Sequence, residues 1–287
     1  MTDLSIVVVS YNCRDRLTEL LRSIYEYTKS ISFEVIVIDN ASEDGADKSV
    51  KGQFPQVRFI QNRENRWLRP AMNQGIRESN GRYILLLNPD TRLLTPEGLG
   101  KMLQYMDRHP EIGILGSKLI NPDGSIQQDC QRFSGLGWAF CHSFFINQIW
   151  PQNPLRQRWQ YQGWDRNDTR AVDTISGACM MVRKDVFERV GLLFEGSQIY
   201  WEEAELCRGA RKAGWLTVHF ADTEILHYWR QGGVSVSSRS ILQTAMEQSM
   251  LYYYRKYYGV IIYAILAVLS WLRMGLFKIL KRLRSLI

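Results

Sequence analysis

Leu4-Ser5-Ile6-Val7-Val8-Val9-Ser10-Tyr11-Asn12 and Glu34-Val35-Ile36-Val37-Ile38-Asp39-Asn40-Ala41-Ser42 decide the fold. Each begins as a short β-branched run, the pattern of a strand buried on both faces of a parallel sheet, and then turns abruptly polar. Between them, residues 14–28 carry Leu17, Leu20, Leu21, Ile24 and Tyr25 at helical spacing. Strand, helix, strand in that order is a right-handed βαβ unit. The alternation continues, with strands expected at 57–60, 83–87 and 112–115 and helices at 71–79 and 99–108. Residues 1–115 are therefore expected to form an open, mostly parallel α/β sheet, whose ligands bind beyond the carboxyl ends of its strands.

Residues 116–172 are less regular, with turns such as Asn121-Pro122-Asp123-Gly124 and aromatics around Trp138, Trp150, Trp159 and Trp164. They read as an insertion lining an acceptor site. A strand follows at 173–182, helices at 184–190 and 200–213, and a short strand at 215–220. Residues 259–272 are uncharged and apolar, a run short of the ~20 residues that span a bilayer as a helix. From there on, Leu276, Ile279, Leu280, Leu283 and Ile287 fall on one helical face and Lys278, Lys281, Arg282 and Arg284 on the other. A helix of that design lies in a membrane interface; the alternative is an apolar face packed on the domain or on a second subunit.

The 287 residues are 45% hydrophobic and 23% charged, which excludes a disordered or low-complexity chain. Cys13, Cys130, Cys141, Cys179 and Cys207 are scattered and lack a Cys-x-x-Cys pair, so they read as reduced thiols, neither a disulfide frame nor a zinc site. No signal peptide is expected, because the N-terminus runs straight into a strand. The net charge of +7 is wholly accounted for by Arg255, Lys256, Arg273, Lys278, Lys281, Arg282 and Arg284, and no acidic residue follows Glu247. A nucleic-acid binder carries its charge on the folded body. A neutral body with a basic, apolar tail points instead to an anionic membrane surface.

Four polar constellations stand where strands should end. Tyr11, within Ser10-Tyr11-Asn12, and Asp39, within Asp39-Asn40-Ala41-Ser42, can stack on and hydrogen-bond a nucleobase, although strand-terminal Asp and Asn also serve as turn formers and caps. Asp90, in Asn88-Pro89-Asp90-Thr91, is placed to hold a hard divalent cation on a diphosphate, or is part of an Asx-Pro turn. The chain has neither a P-loop nor a Gly-x-Gly-x-x-Gly, which argues against a P-loop NTPase and a dinucleotide enzyme, so a metal would have to do what a helix N-terminus does in those folds. In Trp201-Glu202-Glu203-Ala204-Glu205 the carboxylates favour a helix start, but the apolar flanks also suit a general base with a raised pKa. His227, a lone histidine near the end of a strand, is by itself more often a structural residue than a ligand.

Taken in order, the strand-end motifs, Asn73-Gln74-Gly75-Ile76, Ser176-Gly177-Ala178-Cys179-Met180, the acidic helix and His227 with Gly232-Gly233 and Ser235 resemble the family 2 glycosyltransferases. These have the inverting GT-A fold, and the likeness is strongest to the bacterial rhamnosyltransferase-like branch that builds surface polysaccharides. The resemblance implies one GT-A domain over residues 1–250, with a nucleotide-sugar half (1–115) and an acceptor half (116–250), and a membrane-associating helical tail over 251–287. It places the donor nucleotide against Ser10, Tyr11, Asn12, Asp39, Asn40, Arg69, Asn73 and Asn88. Mn²⁺ or Mg²⁺ would sit on Asp90 and His227. Glu203 would be the base that deprotonates the acceptor hydroxyl, with Glu202 beside it. Four departures from the family's usual pattern stand out: Trp67 where Gly is usual, Leu193-Phe194-Glu195 where it has Phe-Asp-Glu, Glu202-Glu203 where Glu-Asp is usual, which puts the base one methylene further out, and Gly209 where Arg is common.

The expected function is transfer of a sugar, rhamnose among the candidates, from a nucleoside-diphosphate donor to a polyprenyl-linked glycan. The expected location is the cytoplasmic face of the cell membrane, with no nucleic-acid partner and with homodimerisation through the C-terminal helices as a further option. The alternative is a non-catalytic sugar-nucleotide or glycan-binding subunit of the same fold.

Overall fold

The structure, a computed structural model, describes residues 2–229, 231 and 239–284, and for 239, 240 and 276–284 the backbone alone. Gly232, Gly233, Ser235 and Ile287 lie outside the described residues. So do the side chains of Leu276, Ile279, Leu280, Leu283, Lys278, Lys281, Arg282 and Arg284, on which the two-faced terminal helix is expected.

The β-branched runs form β1 (Leu4–Ser10) and β2 (Phe33–Asp39), parallel to each other and joined by α1 (Arg14–Tyr27). With β3 (Arg58–Gln61) and β4 (Tyr83–Leu87) they make a parallel set in the order β3-β2-β1-β4. The sheet continues through β10 (Cys179–Arg183), β6 (Ile112–Ile120), β11 (Leu216–His227) and β5 (Thr91–Leu93), with β8 (Arg170–Val172) also on β11. β11 runs parallel to β6, whereas β10, β5 and β8 run antiparallel to their neighbours. β7 (Cys130–Gln131) and β9 (Thr174–Ile175) form a separate pair.

Successive residues of β1 point to opposite faces, so one strand feeds two cores. Ile6 and Val8 pack with α1, α2 (Ala46–Gln53) and α4 (Gly98–Arg108). Val7 and Val9 pack with α3 (Leu68–Arg77), α8 (Lys184–Val190) and α9 (Glu202–Lys212). A third cluster joins Ala139 of α5 (Leu136–Ser143) to Met250, Tyr253 and Tyr254 of α10 (Arg239–Tyr258) and Leu266 of α11 (Val260–Arg284). Short helices α6 (Ile146–Ile149) and α7 (Pro154–Trp159) complete the insertion.

Register gathers the polar strand ends. Ser10 pairs with Asp39, Val8 with Leu87, Leu87 with Cys179 and Thr91 with His227. The segments after β1, β2 and β4, the turn before β10 and the end of β11 thus meet at one edge.

Several expectations need correcting. The strand expected at 215–220 extends to His227, because a register shift between Phe220 and Glu224 absorbs its irregular middle. The strand expected at 173–182 is broken at 176–178. α2, β5 and α10 were not read. In α10, apolar and polar residues occur all round because the helix lies between α9 and α11, which leaves no single stripe to detect. The domain boundary expected at 250/251 falls inside α10. The two pieces read from 259 onward are one helix, α11, as far as Arg284. Arg273, counted among its lipid-facing cations, is instead buried and paired with Glu247. Among the described residues no helix is long and apolar enough to cross a membrane.

Candidate active site

A cavity of ≈ 310 Å³ opens at the edge where the strand ends meet. Its walls include Tyr11, Asn40, Asn88, Asp90, Glu202, Glu203 and His227, all expected from the sequence, and also Asn65, Trp67, Gly177, Tyr200, Trp229 and Leu242.

The two carboxylates come from the first turn of α9, which two consecutive left-handed residues, Tyr200 (φ 73) and Trp201 (φ 66), aim at the cavity. Such conformations cost bulky residues about 1–3 kcal/mol each. Here the backbone is held by Ser249 Oγ donating to Ile199 O (2.8 Å) and Arg69 Nη2 donating to Tyr200 O (2.6 Å). Glu203 Oε1 accepts the Gly177 N–H at 3.2 Å. A Cβ on Gly177 would lie 3.0 Å from that oxygen, so any side chain there would displace the carboxylate. Glu202 is buried with Oε2 3.7 Å from Arg69 Nε, an ion pair too long for a hydrogen bond.

Burial, and then the charge of Glu203, raise the Glu202 pKa to about 8, with Arg69 opposing. Burial raises Glu203 too, against its backbone hydrogen bonds. The native protein thus holds a proton on Glu202 more tightly than the unfolded chain. Stability from this group is complete below the ordinary carboxylate range and is lost as pH climbs through about 8. Glu202→Gln should therefore raise the melting temperature relative to the parent at pH 9 and leave it unchanged at pH 3. Thermal denaturation across that range checks it, and a gain that does not grow with pH contradicts it.

Asp90 follows β4 and His227 ends β11, with His227 Nε2 3.6 Å from Asp90 Oδ1. Gln127 Nε2 donates to His227 O (2.8 Å), which turns Gln127 Oε1 toward Nδ1 at 2.9 Å. That oxygen only accepts, so it takes the Nδ1 proton, and in the neutral ring the lone pair is then on Nε2. An oxygen and an imine nitrogen at this separation fit adjacent ligand positions of one small divalent cation, whose bonds are about 2.1 Å long. Gln127 lies in the irregular insertion, and no sequence signal marked it. A second cluster, Asp129, Cys130 and His219, brings ligand atoms within 4.8 Å of one another, but lies outside the cavity wall. Its Asp129 Oδ1 already accepts from Arg166 Nε at 3.1 Å, so it is a buried polar knot.

The Glycosyl transferase family 2 model matches residues 5–191. The chain belongs to that family. This glycosyltransferase is 28% identical over 240 residues to the N-acetylglucosaminyl-diphospho-decaprenol L-rhamnosyltransferase of Mycobacterium tuberculosis, covering 79% of this chain and 77% of that one. It therefore sits with the bacterial rhamnosyltransferase-like branch. Its fold is GT-A. It resembles GalNAc-T7, solved with UDP, GalNAc and Mn²⁺ (TM-score 0.62, 16% identity, 87% of this chain and 47% of that one). It also resembles the mannosyltransferase PcManGT of Pyrobaculum calidifontis, solved with GDP-Man and Mn²⁺ (TM-score 0.57, 16% identity, 88% and 63%). The chain thus spans about half to two thirds of those solved chains.

Five expected donor residues of the glycosyltransferase stand behind the cavity wall. Ser10 is buried with Oγ 3.4 Å from Cys13 Sγ. Asp39 accepts from the N–H and hydroxyl of Ser42 (2.9 and 2.5 Å), and Asn12 Oδ1 accepts the Glu43 N–H at 2.9 Å. These contacts shape the loop after β2. Asn73 binds Leu193 through both its amide atoms. Arg69 is wholly buried and spent on Glu205 (2.9 Å), Glu202 and two carbonyls, so it is a tie between α3 and α9 and not a cation facing the cavity.

The departures from the family pattern also find their places. Trp67 lines the cavity with φ 66, ψ 178, a backbone region that glycine alone occupies freely. Asn65 Oδ1 accepts its N–H (2.8 Å) and Asn40 Nδ2 donates to its carbonyl (3.1 Å). The chain keeps the glycine conformation and adds an indole to the wall. Phe194 stacks on Tyr252 of α10 at 3.6 Å. A Cβ on Gly209 would lie 2.4 Å from Val190 Cγ1, so α8 leaves no room for Arg.

Proposed function

We propose that this glycosyltransferase moves a sugar, rhamnose in the first instance, from a nucleoside diphosphate to a hydroxyl of a polyprenyl-diphosphate-linked glycan, with inversion, at the cytoplasmic surface of the membrane. One observation carries the reading: a cavity-facing carboxylate, Glu203, shares a single ≈ 310 Å³ cavity with the Asp90–His227 pair. The donor sugar and lipid-linked acceptor are carried over from the Mycobacterium tuberculosis relative's name.

In this reading Tyr11 and the loop organised by Asp39 and Asn12 receive the base and ribose, and Asn40 and Asn88 border the diphosphate. Asp90 and His227 Nε2 would hold Mn²⁺ or Mg²⁺, which when bound supplies Lewis-acid stabilisation of the departing diphosphate. Glu203, fixed by the Gly177 N–H, takes the acceptor proton as the hydroxyl attacks C1 from the side opposite the leaving group. Trp67, Tyr200 and Trp229 limit water at the reacting carbon.

The test is a panel of nucleoside-diphosphate sugars, a rhamnosyl donor among them, offered with polyprenyl-diphosphate N-acetylglucosamine. Transfer is expected with Mn²⁺ and is expected to vanish in EDTA and in Asp90→Asn. Mn²⁺ alone should bind weakly, since the chain offers it one carboxylate and one imidazole. Donor binding without turnover across the panel would favour the non-catalytic alternative, and full activity in EDTA would remove the metal.

A further inference from the structure

Helix α11 is apolar on its outer side. Its buried side mixes Leu266 with the polar Ser270 and Arg273, while Val260, Ile261, Ile265, Val268, Trp271 and Leu272 face outward, Trp271 being 74% exposed. The polar side is used up internally: Glu247 of α10 accepts from Ser270 Oγ (2.5 Å), pairs with Arg273, and lies 3.1 Å from His142 Nε2 of α5. Helix α5, which touches α11, is arranged in the same way. It buries His142 and Ser143 beside Ala139 and Cys141 and turns Leu136 and Phe140 outward, followed by Phe144, Ile149 and Trp150. Twelve of the fourteen large apolar side chains exposed among the described residues lie in 136–155 and 260–272. Water-facing surfaces do not concentrate apolar groups in this way.

We propose that α11 and the α5–α6 insertion form one docking face that sits in the headgroup region of an anionic bilayer, the insertion contributing as much as the tail. Two features select lipid over a second copy of the chain. Trp150 and Trp271 are of the type that settles at membrane interfaces. The sequence after Glu247 is basic without a single acid, and Glu247 itself is spent inside. No helix among the described residues crosses a membrane, so the face lies on the bilayer. The face is also tied to the cavity, since Trp138 of α5 packs edge-on against Trp201 at 5.2 Å, immediately before Glu202.

This deepens the reading of a lipid-linked acceptor, on which its biological purpose rests, but its test needs neither donor nor acceptor. The full chain is floated with vesicles of phosphatidylethanolamine and phosphatidylglycerol, and with phosphatidylcholine vesicles. It is expected to float with the anionic vesicles and to do so less at high salt. Phe144→Glu on the insertion and Trp271→Glu on α11 should each weaken binding about tenfold or more, with the rate on a short water-soluble acceptor unchanged. Quenching of tryptophan fluorescence by brominated lipid, reduced in the conservative Trp271→Phe, gives a second readout that does not depend on a charged substitution. A parent chain left in solution with anionic vesicles overturns the proposal. So does a Phe144→Glu chain that floats like the parent, which would leave the tail as sole anchor. Light scattering that shows a lipid-free dimer dissociated by either glutamate would assign the face to a second copy.

Discussion

Glu203→Gln is expected to slow sugar transfer by about 10²–10⁴-fold, the usual contribution of a general base, with donor affinity unchanged. Glutamine keeps the length of the side chain, and its amide oxygen can still accept the Gly177 N–H, so the geometry of the site persists. What it removes is the capacity to take a proton. Burial raises the pKa of Glu203, which strengthens it as a base and shifts the onset of activity to higher pH. The parent rate should rise with pH above the ordinary carboxylate range, and the residual rate of the variant should lose that limb. Single-turnover rates beside donor-binding calorimetry separate the two effects. A folded Glu203→Gln enzyme turning over at the parent rate would pass the base role to Glu202.

Arg69→Met is expected to cost about 3–5 kcal/mol of stability, the range for removing one partner of a buried ion pair. Arg69 has no exposed surface and lies between Glu202 and Glu205, so its loss leaves Glu202 without its cation and Glu205 with Lys256 alone. Lys256 also binds Glu205, at 2.8 Å, but its side chain is 37% exposed. Lys256→Met should therefore cost at most about 1 kcal/mol. Urea denaturation of both variants checks the contrast, and equal losses would show that burial does not set the strength of this network.

The parallel half of the fold is legible in the sequence because strands buried on both faces must be continuously apolar, and β1, β2 and β4 are. The cavity wall at Tyr11, Asn88 and Asp90 follows from the same logic, since polar residues that interrupt such strands emerge at one edge; Glu203 and His227 are marked by the family resemblance. The route of His227 to that edge is not legible. It depends on a register shift in β11 and on Gln127, a hundred residues away in sequence. Nor could spacing show that Arg69 and Asn73 turn away from the cavity, because a helix face carries no mark of which loop will fold over it. Helix α10 escaped for a related reason: its tyrosines are amphipathic and pack against helices on two sides.

That helix ties the peculiarities of this chain to one another. Tyr252 stacks on Phe194, Tyr257 O–H donates to Glu205 O, Tyr253 receives Arg208, and Lys256 reaches Glu205. Two of the departures from the family pattern, Phe194 and Gly209, lie on the ground that α10 covers or adjoins. The C-terminal helices are therefore not an interchangeable module. A chimera that grafts them onto a relative with Arg at position 209 and a different residue at 194 would inherit half of a fitted joint, and the two halves can be expected to have changed together or not at all.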